Sequence, residues 1–127
     1  MTIYLKYDGE LKYSTDDINF SPMNEETITG GNSGEAINWI VSQSDIQLTK
    51  IKIKDLNKKD GVILPGGSWK DTWEVKPKNV NNKECTGTPL APEATQENPA
   101  YFAYDVQYNV QDGPTQTLDP GIRIPQQ

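Results

Sequence analysis

The chain of 127 residues contains no histidine. That absence removes the Ser-His-Asp and Cys-His pairs, an imidazole acid or base, and histidine-bound zinc or type 1 copper. Cysteine is almost missing as well. Cys85 stands alone, so no intrachain disulfide can form. Long apolar runs are lacking too, and nothing approaches the roughly 18 residues of a membrane span. The opening "MTIYLKYDGE" turns polar within a few residues and does not read as a signal peptide, so a cytoplasmic location is the expectation. Hydrophobic residues make up only 34% of the chain, and the mean hydropathy is -0.73. The three Trp, six Tyr and two Phe still suffice for a thin two-layer core.

Positive charge is in short supply. Twelve Lys and Arg face 18 Asp and Glu, a net charge of -6. A surface that tracks phosphates needs clustered cations, so no nucleic-acid partner is expected, and no membrane partner either. One stretch departs from this, "KIKIKDLNKK", with Lys50, Lys52, Lys54, Lys58 and Lys59. Alternation puts the first three on one strand face, which reads as a solvated face or a guarded sheet edge.

What the chain does contain is short alternation punctuated by turns. Ile3, Leu5 and Tyr7 alternate, as do Leu11 and Tyr13, with Asp8-Gly9 between them as a hairpin turn or a bend. Short strands are expected at residues 18–20 and 27–29, with at most one helical turn, near 24–26 or within 77–100. Ile37, Trp39 and Val41 share one parity, and Trp39 is a core residue on this pattern. Ile46 and Leu48 share a parity that slips before Ile51 and Ile53, which predicts a bulge or a crossing between sheets. Residues 77–100 have no usable period and read as one long irregular loop. Phe102, Tyr104, Val106, Tyr108 and Val110 alternate cleanly before the closing "TLDPGIRIP". Nothing sustains a 3.6-residue period. The expectation is a single all-β domain over residues 1–127, an antiparallel β-sandwich of about seven to nine short strands.

The candidate chemistry is sparse. Asp16-Asp17 and Glu25-Glu26 are adjacent pairs, so on a strand each pair would split between two faces, and turn chemistry is the simpler reading. Calcium held between sandwich loops is the alternative. "DLNKKDG" does not make a calcium loop, because the fifth place from Asp55 is Lys59 and the sixth is Asp60. "LPGGSW" and "TGGNSGE" lack the Lys-Ser/Thr of a phosphate loop. Cys85 lies beside Glu84 with no base to activate it, and reads as an inert loop thiol. Trp69 and Trp73 are an even step apart and, with Tyr101, form a candidate aromatic platform for a sugar or peptide. The competing reading makes at least one of these indoles a core plug. Pro120 has no N–H to give a ladder, and Asp119 before it is held extended. Together Asp119 and Pro120 read as a structural latch for the last strand.

The pattern Tyr104-x-Val106-x-Tyr108-x-Val110 followed by Leu118-Asp119-Pro120-x-Ile122-x-Ile124-Pro125 resembles the ends of the DP-EP family of small bacterial proteins. It is also similar to the ending of the AidA/PixA inclusion-body proteins. "EAINWIV" resembles their earlier strand with a central Trp, which cupredoxin-like sandwiches share. The specific likeness covers the last quarter of the chain, and Ile124 stands where the DP-EP pattern often has an acidic residue. The resemblance implies a cupredoxin-like or immunoglobulin-like sandwich and supplies no catalytic residue, cofactor or metal site. The leading functional expectation is a non-enzymatic binding or self-assembly module, with an edge strand as the route to a homo-oligomer. A carbohydrate- or peptide-binding module built on Trp69, Trp73 and loop 77–100 is the second. A hydrolase using converging carboxylates is the third.

Overall fold

The computed structural model describes residues 1–42, 46–56, 58–59, 62–63, 68–69, 74–75, 83–110 and 113–126, and side chains outside 53–82. In chain order the strands are β1 (Thr2–Tyr7), β2 (Leu11–Ser14), β3 (Ser21–Pro22), β4 (Ile28–Gly30), β5 (Ile37–Val41), β6 (Ile46–Leu56), β7 (Lys58–Lys59) and β8 (Val62–Ile63). There follow β9 (Ser68–Trp69), β10 (Glu74–Val75), β11 (Glu84–Gly87), β12 (Pro89–Leu90), β13 (Ala100–Val110), β14 (Thr115–Leu118) and β15 (Gly121–Ile124). The first sheet runs β11-β5-β1-β2-β3 and the second β10-β6-β13-β15-β4, with β14 also paired to β13. Two small ladders, β12 with β9 and β7 with β8, stand apart. The protein is an all-β sandwich. It is mixed rather than wholly antiparallel, because β1 pairs β5 and β15 pairs β4 in parallel.

Local sequence explains the first hairpin. Gly9 adopts φ 73°, which favours glycine, and β1 and β2 pair antiparallel around it. The apolar alternation buries Ile3, Leu5, Leu11, Ile37 and Trp39 from the first sheet against Ile46, Leu48, Ile51, Phe102, Tyr104, Val106 and Ile122 from the second. Trp39 and Tyr104 join the two layers. Their ring centroids lie 5.5 Å apart at 52°, and Trp39 Nε1–H donates to the Tyr104 hydroxyl at 3.4 Å. Burial pushes the Tyr104 phenol well above its ordinary pKa, with Trp39 and Thr29 as its polar neighbours. It therefore acts as a neutral partner in a dry core.

The predicted parity slip is a bulge. Tyr108 pairs Leu48 while Gln107 pairs Lys50, so Thr49 is the surplus residue. Thr49 is exposed, and the insertion lets Leu48 and Ile51 share the core face although they are an odd step apart. A second shift falls between Ala103 and Tyr104.

Three expectations need correction. Residues 18–20 form a bend rather than a strand, because the Asp16 side chain draws their backbone into a turn. The expected helical turn near 24–26 is a β-type turn, closed by Thr27 N–H donating to the Asn24 carbonyl at 3.0 Å. The loop expected over 77–100 contains β11 and β12. Cys85 and Gly87 alternate inward along β11, and Cys85 is fully buried opposite Trp39 rather than lying in a loop. One small hydrophobe and a glycine give too weak a pattern to mark a strand, and the pairing comes from β5. Residues 77–82 lie outside the described residues.

Deleting Thr49 should leave every inward residue of β6 in place, because it restores plain alternation. That variant should unfold cooperatively in denaturant. Deleting Lys52 instead turns Ile51 outward, which forfeits roughly 1.5–3 kcal/mol of burial, and should be far less stable. Equal damage from the two deletions would show that Thr49 is not a bulge.

Candidate functional site

The two faces of the second sheet differ in character. Phe102, Tyr104, Val106 and Tyr108 face the core, so Tyr101, Ala103, Asp105, Gln107 and Asn109 face outward. Near the start of β13 the outward face carries an unusual set. Tyr101 pairs with Arg123, and Ala103 with Gly121. On the far side of β15, Gly121 and Arg123 lie beside Ile28 and Gly30 of β4. Gly30, Gly121 and Ala103 offer almost no side-chain bulk between Tyr101, Ile28 and Arg123. A hollow results.

This hollow is a cleft of about 330 Å³, lined by Ile28, Thr29, Gly30, Tyr101, Arg123 and Gln126. Among the described residues Ile28 is one of two large apolar side chains that remain well exposed, at 39%. Gly30 is required by a close approach. A Cβ there would come within 2.6 Å of Gln126 Cγ and 3.2 Å of Gln126 Cα. The last residues of the chain are thereby seated directly against β4.

Arg123 is the chemical centre of the cleft. Only 9% of it is exposed, although the alternation Ile122-Arg123-Ile124 would place it on a solvated face. Gln96 and Pro125 lie against its guanidinium. Its Nη1 donates to Gln96 Oε1 at 3.1 Å and to the Pro125 carbonyl, and its Nη2 donates to the Gln96 carbonyl at 3.3 Å. Gln96 Nε2 in turn donates to the Gln126 carbonyl at 2.7 Å. All of these acceptors are neutral. Among the described residues no carboxylate lies within ion-pair distance of the guanidinium; the ion pairs there involve the Met1 amine with Glu35 and Lys12 with Asp8.

The sequence-derived candidates fall into separate places. Tyr101 lines the cleft, half-buried. Trp69 contributes backbone to β9, where it pairs with Pro89, but its side chain, like the whole of Trp73, lies outside the described residues. Asp119 and Pro120 sit at the break between β14 and β15. Both strands follow one register along β13, from Leu118 opposite Val106 to Gly121 opposite Ala103. Pro120 interrupts it with no N–H to donate, while its carbonyl accepts from Tyr104 N–H at 3.1 Å. The same register sets Asp119 opposite Asp105, whose other neighbour is Lys52. These two carboxylates belong to the sheet face and not to the cleft lining. Arg123, Ile28, Gly30 and Gln126 were not singled out in the sequence. One signal was available: Arg123 is the only arginine in the chain.

Of the paired carboxylates, Asp16 caps its own turn, as expected. Asp16 Oδ1 accepts from the Ser14 hydroxyl at 2.7 Å and from the Ile18 and Asn19 N–H groups, each at 2.8 Å. Its Oδ2 accepts from Asn19 Nδ2 at 3.0 Å. Asp17 has a positive φ of 61° and accepts from the Ser42 hydroxyl at 2.6 Å. Glu25 and Glu26 stand exposed on the turn after Asn24. The donors around Asp16, Ser14 first and then the Asn19 and Ile18 amides, hold its carboxyl well below the usual carboxylate range.

Such a depressed group stabilises the fold above its unfolded pKa, about 3.9, and loses that contribution as pH falls through the folded value. The stability gap between the protein and Asp16→Asn should therefore be widest near neutrality and should narrow below about pH 4. Thermal melts across pH check this, and a gap constant down to pH 2 would contradict the assignment. Among the described residues no helix is long and apolar enough to cross a membrane. No family model matches the chain, and no curated protein matches it in sequence.

Proposed function

We propose that this domain is a non-enzymatic binding module whose ligand occupies the cleft between β4, β15 and the start of β13. The observation that carries the reading is the hollow itself. At about 330 Å³ it falls at the lower end of small-ligand sites, roughly 300–1,000 Å³. Its lining combines an aromatic ring, an apolar side chain and a buried cation. The same lining contains no carboxylate, thiol or imidazole to serve as general base or nucleophile. The hydrolase reading needs two carboxylates converging in a cleft. The ladder register sets Asp105 and Asp119 opposite each other, and neither lines this cleft.

A self-assembly reading has one observation in its favour. β14 is exposed at Thr115, Gln116 and Thr117, and β13 is its ladder partner among the described residues. Its four residues make a short edge for a strand from a second copy, and shortness is itself a guard against such pairing. The carbohydrate or peptide reading survives in altered form, with Tyr101 as its aromatic wall. A reducing, cytoplasmic setting suits the lone thiol of Cys85 and forms part of the same proposal.

Saturation-transfer NMR with a mixed fragment library tests the proposal. Fragments should bind the protein, and Tyr101→Ala, which leaves the core face intact, should remove most of those signals while thermal unfolding stays close to that of the parent. Binding unaffected by Tyr101→Ala would move the site elsewhere. Absence of binding, together with concentration-dependent dimers in light scattering, would favour assembly through an edge strand.

A further inference from the structure

Resting on that reading, we infer that the ligand carries a carboxylate and that Arg123 receives it. A buried ion without a counter-ion is expensive to maintain, and proteins usually pair it or give it a ligand. Arg123 is 9% exposed in a chain with 18 acidic side chains, yet its protein partners are two carbonyls and one amide oxygen. Neutral acceptors orient a guanidinium without cancelling its charge.

The guanidinium's bonds among the described residues use only part of its donor set. A guanidinium has five N–H donors. Gln96 bridges Nη1 and Nη2, and Pro125 takes the other Nη1 hydrogen, which uses three of them. Among the described residues the Nε–H and the remaining Nη2 hydrogen have no acceptor. A carboxylate accepts two parallel N–H groups in such a fork, with charge assistance. The three acceptors already in place fix the plane of the fork, so little ordering is required on binding.

The surroundings select a monoanion with an attached apolar or ring portion. Tyr101 stands opposite Arg123 across the ladder, and Ile28 supplies the apolar wall. Among the lining residues Arg123 is the only cation, and the lining contains no lysine to share a second negative charge. The net charge of -6 disfavours phosphates and polyanions over most of the surface. Both a peptide C-terminus and a free acid such as a uronic acid present the required chemistry.

Isothermal titration with matched pairs tests the inference on the unaltered protein. The pairs are small aromatic carboxylic acids with their primary amides, glucuronate with glucose, and N-acetyl-alanyl-phenylalanine with its C-terminal amide. The acid of at least one pair should bind roughly tenfold or more tightly than its neutral partner, the scale of losing a charged hydrogen-bond partner. The pair that does so identifies the source. Arg123→Gln should abolish the preference. Because Arg123 also ties down Gln96 and Pro125, the ligand-side pairs keep the test valid if that variant fails to fold. Equal binding of acids and amides would overturn the inference and leave the cleft as a binding site. Binding of inorganic phosphate in preference to every acid would also overturn it. No binding of any acid or neutral partner would remove both the inference and the proposed function.

Discussion

The structure depends on the two-sided pairing of β13. This strand of eleven residues is paired with β6 from Phe102 to Val110 on one edge. On its other edge it is bonded to β14 and then to β15. Its inward side chains, Phe102, Tyr104, Val106 and Tyr108, form the middle of the core. A central strand with an uninterrupted inward face can tolerate irregular partners. β6 carries its surplus residues as bulges, and the outer ladder tolerates a proline.

That proline divides the outer edge into two unlike parts. Before it, Thr115, Gln116 and Thr117 of β14 are polar and exposed, and Leu118 is half-buried. After it, β15 is buried at every position because β4 pairs with it on the far side. Gly121 N–H donates to the Thr27 carbonyl at 2.8 Å and Gly31 N–H to the Arg123 carbonyl at 2.9 Å, which closes β4 onto β15. The cleft is a consequence of this closure. It forms where small residues of three neighbouring strands coincide on the outward face, and the chain beyond β15 folds back to cover Arg123. The candidate site thus depends on how the last strand is sealed into the sheet.

The features legible in the sequence were those set by neighbouring residues. Asp8-Gly9 made its turn, Trp39 entered the core, the slip after Leu48 produced a bulge, and Asp16 capped its own loop. Each depends on a few adjacent side chains and on periodicity. The features that were not legible depend on pairing between distant segments. β11 shows little alternation of its own and is a strand because β5 lies beside it. The parallel pairing of β4 with β15 joins residues more than ninety positions apart. Arg123 between two isoleucines reads as an outward, solvated residue. Only the return of Gln96 and Pro125 over it reveals a buried cation. The platform expected of Trp69, Trp73 and Tyr101 rested on the even step between the two indoles, whose side chains lie outside the described residues, while Tyr101 lines the cleft with Arg123 and Ile28.

The central claim is that Asp119-Pro120 separates an open edge from a sealed strand, and that the sealed strand holds the buried guanidinium in place. Residue-resolved amide hydrogen exchange tests it most directly. The account predicts that the amides of Gly121, Ile122 and Arg123 exchange as slowly as those in the middle of β13, through opening of the whole domain, while those of β14 exchange much faster. Exchange at Gly121–Arg123 as fast as in β14 would contradict it.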